Sequence, residues 1–368
     1  MSLFMDLHIV PDASLDDAVE AHRMDVKIQE QFGCNCMTFW FDEERGHAFC
    51  LIEAPSKDSV KEMHDHAHGL IPHQIIEVNE NLVSAFLGRI QDPKSLDELS
   101  KSDIKAFYSD SAFRIILVTD HMDEKLLSIK LGKEKAQELL DLKNEIVRNQ
   151  IKAYEGHEIE MAGKGIVISF VAPSQAYEYA LAVLKQLHIA TELLDFRIGL
   201  HAGIPVTDND ELFGETLKYA KNLCLFRQQK QIIISSAVDD LLKEYKSKLQ
   251  PNNKIKSISS EDEKFLKGLV DCLEEKWNKT DLDINDLCKQ LLVSSAQLYR
   301  KTTSLTGFSP NALLREYRLI KSLDLLKKGS KNVTQVAFNS GFNSPSYFTK
   351  CFQKRFQIKP LDYQKIEN

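Results

Sequence analysis

Along residues 1 to 80, short apolar runs take turns with amphipathic stretches: LHIV, then Ser14 to Phe32, CMTFWF, HAFCLIEA, Ser56 to Leu70 and QIIEV. Apolar runs of about 4–8 residues predict strands, and apolar positions recurring at helical spacing predict helices. The order that results is strand, helix, strand, strand, helix, strand. Asp42 to Gly46 forms a tight charged turn between two strands, and Pro55 with Ser56 supplies a loop and an N-cap for the second helix. Residues 112 to 238 repeat the alternation on a larger scale. Strands are predicted at FRIILVTD, IVISFV, FRIGLHAG and QIIISS, and helices at 133 to 154, 174 to 190 and 214 to 226.

Two helices on one face of an antiparallel sheet make the ferredoxin-like α+β layout, expected here over residues 1–85. The polar stretch from Gln91 to Ser109 reads as a helical connector, and residues 110–245 as a second α/β sandwich. Ser247 to Glu263 carries Pro, Asn, Ser and Lys with little apolar content, the composition of an interdomain linker. Beyond it, residues 262–368 show helical periodicity alone. The chain reads as multidomain, with two sheet-containing units ahead of an all-α one.

In that all-α end, Asp283 opens a short helix with Ile284, Leu287 and Leu291 at helical spacing, and Ser294 caps a second helix running to about Thr306. Two short helices joined by a tight turn predict a helix-turn-helix unit. On a helical wheel, Leu298, Thr302 and Leu305 fall on one side, with Ala296, Tyr299, Arg300 and Thr303 opposite. Pro310 starts a longer helix whose apolar stripe ends near Gly329, and the two-helix pattern then returns around the turn Gly341-Phe342-Asn343, with Ser344 as cap and Pro345 at the first helical position. In the last helix Tyr347, Phe348, Cys351, Phe352 and Phe356 share one half of the wheel. Ser346, Thr349, Lys350, Gln353 and Lys354 share the other. Small, polar and basic residues on an outward face suit base edges and phosphates.

Charge sharpens this picture. The net charge of -7 hides 14 Lys+Arg against 4 Asp+Glu in residues 289–368, with 33 against 50 in the residues before them. An acidic body with a basic end predicts a polyanion, double-stranded DNA, as the partner of that end. Seven scattered cysteines lack the paired spacing of a disulfide framework or a zinc ribbon, and no apolar run approaches the roughly 20 residues of a membrane span. The expectation is a cytoplasmic protein with reduced thiols and no membrane partner.

The histidines concentrate at the front. His64 and His68 lie four apart and share a helix face, His22 and Asp25 lie three apart on the other helix, and Cys50 sits mid-strand. Imidazole with thiolate suits nickel or zinc far better than magnesium, so His22, Asp25, Cys50, His64 and His68 form the candidate metal set.

Three stretches resemble known families. The run VAFNSGFNSPSYFTKCFQKRFQIKPLDY closely resembles the signature of AraC-type regulators, with Gln357 where that family has a glycine. The resemblance implies a bipartite domain with recognition helices in successive major grooves, read by Ala296, Tyr299 and Arg300 in one unit and Ser346, Thr349 and Lys350 in the other. The strings IILVTDH, EIEMAGKGIVISF, FRIGLHAGIP and LFGETLKYAKNL resemble a class III nucleotidyl cyclase domain. By that resemblance Asp120 keeps one carboxylate position, while Lys164, Lys218 and Asn222 replace a carboxylate, an Asn and an Arg. A metal pair on a triphosphate needs both carboxylates, so the resemblance implies a chain without catalytic residues. Asp120, Lys164 and Lys218 could still bind a phosphate-bearing effector, and such domains pair, which implies a homodimer. The strings AHRMDVKIQEQFG, FWFDEERGHAFCLIEAP and HDHAHG resemble a small family of ferredoxin-like domains with nickel binding. The expected function is a transcription regulator responsive to a metal or small-molecule effector; the alternative is a nucleotidyl cyclase, or another nucleotide-binding enzyme, tethered to DNA.

Overall fold

The structure, a computed structural model, describes residues 1–92, 100–121, 123–160, 165–191, 193–194, 196–224, 231–247, 254–328 and 332–365. The first unit runs β1 (Ser2–Ile9), α1 (Leu15–Ile28), β2 (Asn35–Asp42), β3 (His47–Ala54), α2 (Lys57–Ala67) and β4 (Gln74–Glu77). Its strands lie in the order β2-β3-β1-β4, each antiparallel to its neighbours. Ser14 and Ser56 cap the two helices through their side-chain oxygens. Alternation along the strands separates two faces. Phe4, Ile52, Ala54 and Ile75 pack with Val60 and Met63 of α2, whereas Met5, Leu7, Phe49, Leu51 and Ile76 point into a different cluster.

That second cluster reaches the middle of the chain. The helices α3 (Glu80–Leu87) and α4 (Lys101–Phe107) follow β4. Next come β5 (Arg114–His121), α5 (Glu124–Leu131), α6 (Lys133–Ile151), β6 (His157–Ile159), β7 (Val167–Phe170), α7 (Pro173–Ala190), β8 (Phe196–Gly203), α8 (Gly214–Leu223), β9 (Ile232–Ile234), α9 (Ser236–Leu241), α10 (Lys243–Lys246) and β10 (Ile255–Ser257). The six strands are ordered β10-β9-β8-β5-β7-β6. Within it, β8-β5-β7-β6 repeats the antiparallel plan of the first sheet, and β9 and β10 extend the edge in parallel. Ile115, Leu117, Ile168 and Phe170 pack with Val147 of α6 and Val183 of α7. On the other face, Ile116, Val118 and Val167 share one hydrophobic cluster with Met5, Trp40 and Leu51 of the first sheet, joined by Phe86 of α3 and Phe213.

The described part of the stretch predicted as a linker is more ordered than its composition suggests. Ile255 to Ser257 pair with Ile232 to Ile234, and Ser259 caps a helix with its side chain. An isoleucine pair in a polar stretch suffices because the parallel partner is already an isoleucine strand.

The remaining elements are helical: α11 (Ser260–Lys276), α12 (Ile284–Leu291), α13 (Ser295–Thr306), α14 (Pro310–Lys327), α15 (Val333–Asn339), α16 (Pro345–Phe356) and α17 (Pro360–Lys365). Leu287, Leu298 and Leu305 bury against Leu266, Leu269 and Leu273 of α11, which in turn meet Tyr219 and Leu223 of α8. A separate cluster joins Leu319 and Leu326 of α14 to Val336, Phe348, Phe352 and Tyr363, and it includes Leu126 of α5. Among the described residues no helix is long and apolar enough to cross a membrane.

Candidate nucleic-acid interface and metal centre

Helices α12 and α13 are each opened by a capping box, Asp283 with Asp286 and Ser294 with Gln297, so two main-chain donors at each start are satisfied locally. Leu298, Thr302 and Leu305 face the core, which leaves Ala296, Tyr299 and Arg300 exposed on the opposite side. In α16, Phe348 and Phe352 are buried, Ser346 and Lys350 are exposed, and Thr349 is partly covered. The six predicted reading positions thus stand on outward faces of their helices. One neighbour departs from the wheel: Tyr347, grouped with the packed half, is 50% exposed and joins the outward surface.

At the front of the chain, β1 sets carboxylate and imidazole on the helix-facing side of the sheet. Asp6 is fully buried. It accepts a hydrogen bond from the Cys50 main-chain N–H at 2.9 Å, and its other oxygen meets His64 Nε2 at 2.9 Å. The second ring nitrogen of His64, Nδ1, lies 3.0 Å from Asp25 Oδ1, and His68 Nε2 lies 3.2 Å from the same oxygen. Burial would lower the His64 pKa, but hydrogen bonds to Asp25 and Asp6 outweigh it and raise it to about 10. Burial likewise works to raise the Asp6 and Asp25 carboxyls. His8 and His64 hold Asp6 well below the usual carboxylate range, and His64 and His68 lower Asp25. Burial, with Asp6 and Asp25 beside it, pushes the Cys50 thiol well up.

The donor atoms of Asp6, His8, Cys50 and His64 lie within 4.8 Å of one another, as do those of Asp25, His64 and His68. His8 Nε2 is buried without a hydrogen-bond partner, its nearest carboxylate oxygen being that of Asp6 at 3.5 Å. An orphaned buried imidazole nitrogen beside N, O and S donors fits a divalent late first-row ion. Of the candidate metal set, the structure brings Cys50 and His64 together with Asp6 and His8, and Asp25 and His68 into a second group that shares His64 through its other ring nitrogen. His22 lies elsewhere, its Nε2 being 3.1 Å from Asp92 Oδ2 at the start of the connector. Asp6 and His8 escape a sequence reading focused on histidine-rich helices; their signal was the strict alternation of Phe4, Asp6 and His8 with Met5 and Leu7.

Asp120, Lys164 and Lys218 form the candidate effector set of the middle unit. Lys164 and the side chain of Asp120 lie outside the described residues. Lys218 Nζ contacts Asp271 at 2.7 Å and Glu274 at 2.9 Å, so it braces α8 against α11.

The model of a family described as Helix-turn-helix domain matches residues 287–366, and that of the family described as Nickel responsive protein SCO4226-like matches residues 4–78. Histidine kinase P4 of Formosa agariphila is 37% identical over 108 residues, 29% of this chain and 8% of that protein. The HTH-type transcriptional regulator MtrA of Neisseria gonorrhoeae is 34% identical over 101 residues, 27% of this chain and 32% of that protein. Among solved structures, SCO4226 from Streptomyces coelicolor A3(2) is 30% identical, covering 21% of this chain and 95% of that one with a TM-score of 0.20. The chain spans from 8% to 35% of the length of such curated relatives. It therefore carries a C-terminal segment similar to AraC-type helix-turn-helix regulators and an N-terminal segment similar to a nickel-responsive family.

Proposed function

We propose that the chain is a sequence-specific, DNA-binding transcription regulator, not an enzyme, with a metal-responsive front. The observation that carries this reading is the paired set of exposed faces on α13 and α16, borne by a region similar to helix-turn-helix regulators. Ala296, Tyr299 and Arg300, with Ser346, Thr349 and Lys350, read the base edges and phosphates of double-stranded DNA. Its domains are a ferredoxin-like unit over 1–85, a cyclase-like unit over 110–245 and a double helix-turn-helix unit over 262–368. The strand orders β2-β3-β1-β4 and β8-β5-β7-β6 support the first two assignments. The middle unit serves as a homodimer interface and as a bridge between the other two. At the front, Asp6, His8, Cys50 and His64 hold nickel or zinc, the ion replacing the proton on the His64 nitrogen that faces Asp6, while Asp25 and His68 hold the other side of the ring.

The test is a duplex selected from random sequence by the full chain. Arg300→Ala and Lys350→Ala should each weaken that complex by about 1–3 kcal/mol. The parent's affinity should also fall steeply with salt as counterions are released. Variants that bind as tightly as the parent would remove the assignment of these faces.

A further inference from the structure

Helix α14 separates the two reading units, yet a single helix of 18 residues does not by itself orient what hangs from either end. The units also meet directly, at Arg318. This side chain projects from the middle of α14 and donates from Nε to the Trp277 carbonyl at 2.7 Å and from Nη2 to the Lys279 carbonyl at 2.6 Å. Trp277 is the C-cap of α11, so the guanidinium satisfies a carbonyl that the helix leaves free, sits at its negative end and also ties down the turn beyond it through Lys279. The turn of the second unit rests on the same spot. Gly341 has φ +75, and a Cβ there would lie 2.5 Å from the Trp277 carbonyl oxygen and 2.7 Å from Arg318 Nε. Two residues on, Asn343 Nδ2 donates to the Thr280 carbonyl at 3.3 Å. A turn from each unit and the helix between them therefore converge on one planar cation.

We propose that Arg318 is a positioning residue that fixes the pitch of α16 relative to α13, and with it the spacing of the two half-sites the protein accepts. The inference rests on the reading of both helices as DNA-binding. Arg318 faces the junction of the two units, and its role is to make the second contact intramolecular at a defined geometry. Once one helix is seated, a rigid junction holds the other at high effective concentration over its own half-site; a loose junction dilutes it. A planar fork can bind two carbonyls at once, and lysine cannot reproduce this.

The full chain and its selected duplex provide the test, with a second duplex carrying about 5 extra base pairs, half a helical turn, between the half-sites. The parent should bind the inserted duplex far more weakly than the selected one. Arg318→Ala should lose at least about tenfold on the selected duplex and show a much smaller penalty for the insertion. Because Arg318 is partly covered, two milder variants keep the test sound should Arg318→Ala fail to fold. Arg318→Lys and Asn343→Ala, the latter at an exposed position, should move both quantities in the same direction by smaller amounts. Unchanged affinity and an unchanged insertion penalty in folded variants would overturn the role of Arg318 while leaving DNA binding intact. A parent that selects no duplex would overturn the DNA-binding reading, and the inference with it.

Discussion

His64 sets the electrostatic character of the front unit because both of its ring nitrogens face carboxylates, Asp6 at 2.9 Å and Asp25 at 3.0 Å. That environment favours the doubly protonated ring, and the sign of the pH dependence follows. Its folded pKa of about 10 exceeds the unfolded value near 6.5, so the native state binds more protons between these limits and stability falls as pH rises through them. The contribution is complete below about pH 6.5. Asp6 and Asp25, both lowered, act in the opposite sense and lose their contribution only under strongly acid conditions. Metal-free protein should therefore melt at a lower temperature at pH 9 than at pH 6, and a melting temperature that stays flat over that interval would refute the charged-histidine account. His64→Ala would leave two buried carboxylates short of a partner and destabilise the fold by about 3–5 kcal/mol. The less buried His68 is the better position for separating metal binding from folding. The histidine-rich helix α2 made part of this site legible in the sequence. Asp6 was hidden because one buried acid inside an apolar strand looks like noise until the strand register is known, and the three-residue spacing of His22 and Asp25 does not show that His22 turns toward Asp92.

Helix boundaries in the C-terminal region were legible almost to the residue, since Asp283, Ser294, Ser309 and Ser344 each accept a hydrogen bond from a first-turn main-chain N–H, as their residue types suggest. Two strands of three residues were not legible: β6 and β10 hold too few positions for a period of two to register, whereas the equally short β9 was expected from the run QIIISS. Helix α16 ends on a residue that sequence alone marks as unusual. Gln357 occupies φ +62, ψ +18, a left-handed conformation in which glycine carries no side-chain penalty. The side chain is exposed, and its Nε2 donates to the Lys354 carbonyl at 3.0 Å, a local bond that offsets some of the strain. Gln357→Gly should stabilise the protein slightly, by less than about 1 kcal/mol, the left-handed penalty less the lost bond and the added chain entropy. A lower melting temperature for Gln357→Gly would show that the glutamine contributes more than its backbone costs.

At the scale of the whole molecule, the reading units are attached to the middle unit at two separate places, through helices that adjoin neighbouring strands. Beside β8, Lys218 of α8 pairs with Asp271 and Glu274 of α11, next to the cluster that holds the first reading unit. Beyond β5, Asp123 caps α5 and also receives Lys327 Nζ at 2.6 Å and the Tyr363 hydroxyl at 3.2 Å, while Leu126 enters the core of the second unit. The face of the β5–β8 pair that carries α8 shares a hydrophobic cluster with the first sheet through Ile116, Val118, Met5 and Trp40, and Leu217 and Ala220 of α8 belong to the same cluster. A change at the front thus has a packed route to α8 and, along β5, reaches the helix that follows it, and coupling of this kind typically amounts to about 1–3 kcal/mol. The exposed pairs of Lys218 contribute at most about 1 kcal/mol each, and an amide at position 123 keeps an oxygen for the helix cap, so weakening both attachments should leave the fold intact. Lys218→Glu sets like charges against Asp271 and Glu274, and Asp123→Asn keeps the helix cap while removing the partner of Lys327. In the parent, nickel should change the affinity for the selected duplex by about 5- to 150-fold. The double variant should still bind that duplex, because no residue on the reading faces has changed, but with nearly equal affinity in the presence and absence of nickel. A double variant with the parent's full nickel response would show that the signal bypasses both attachments.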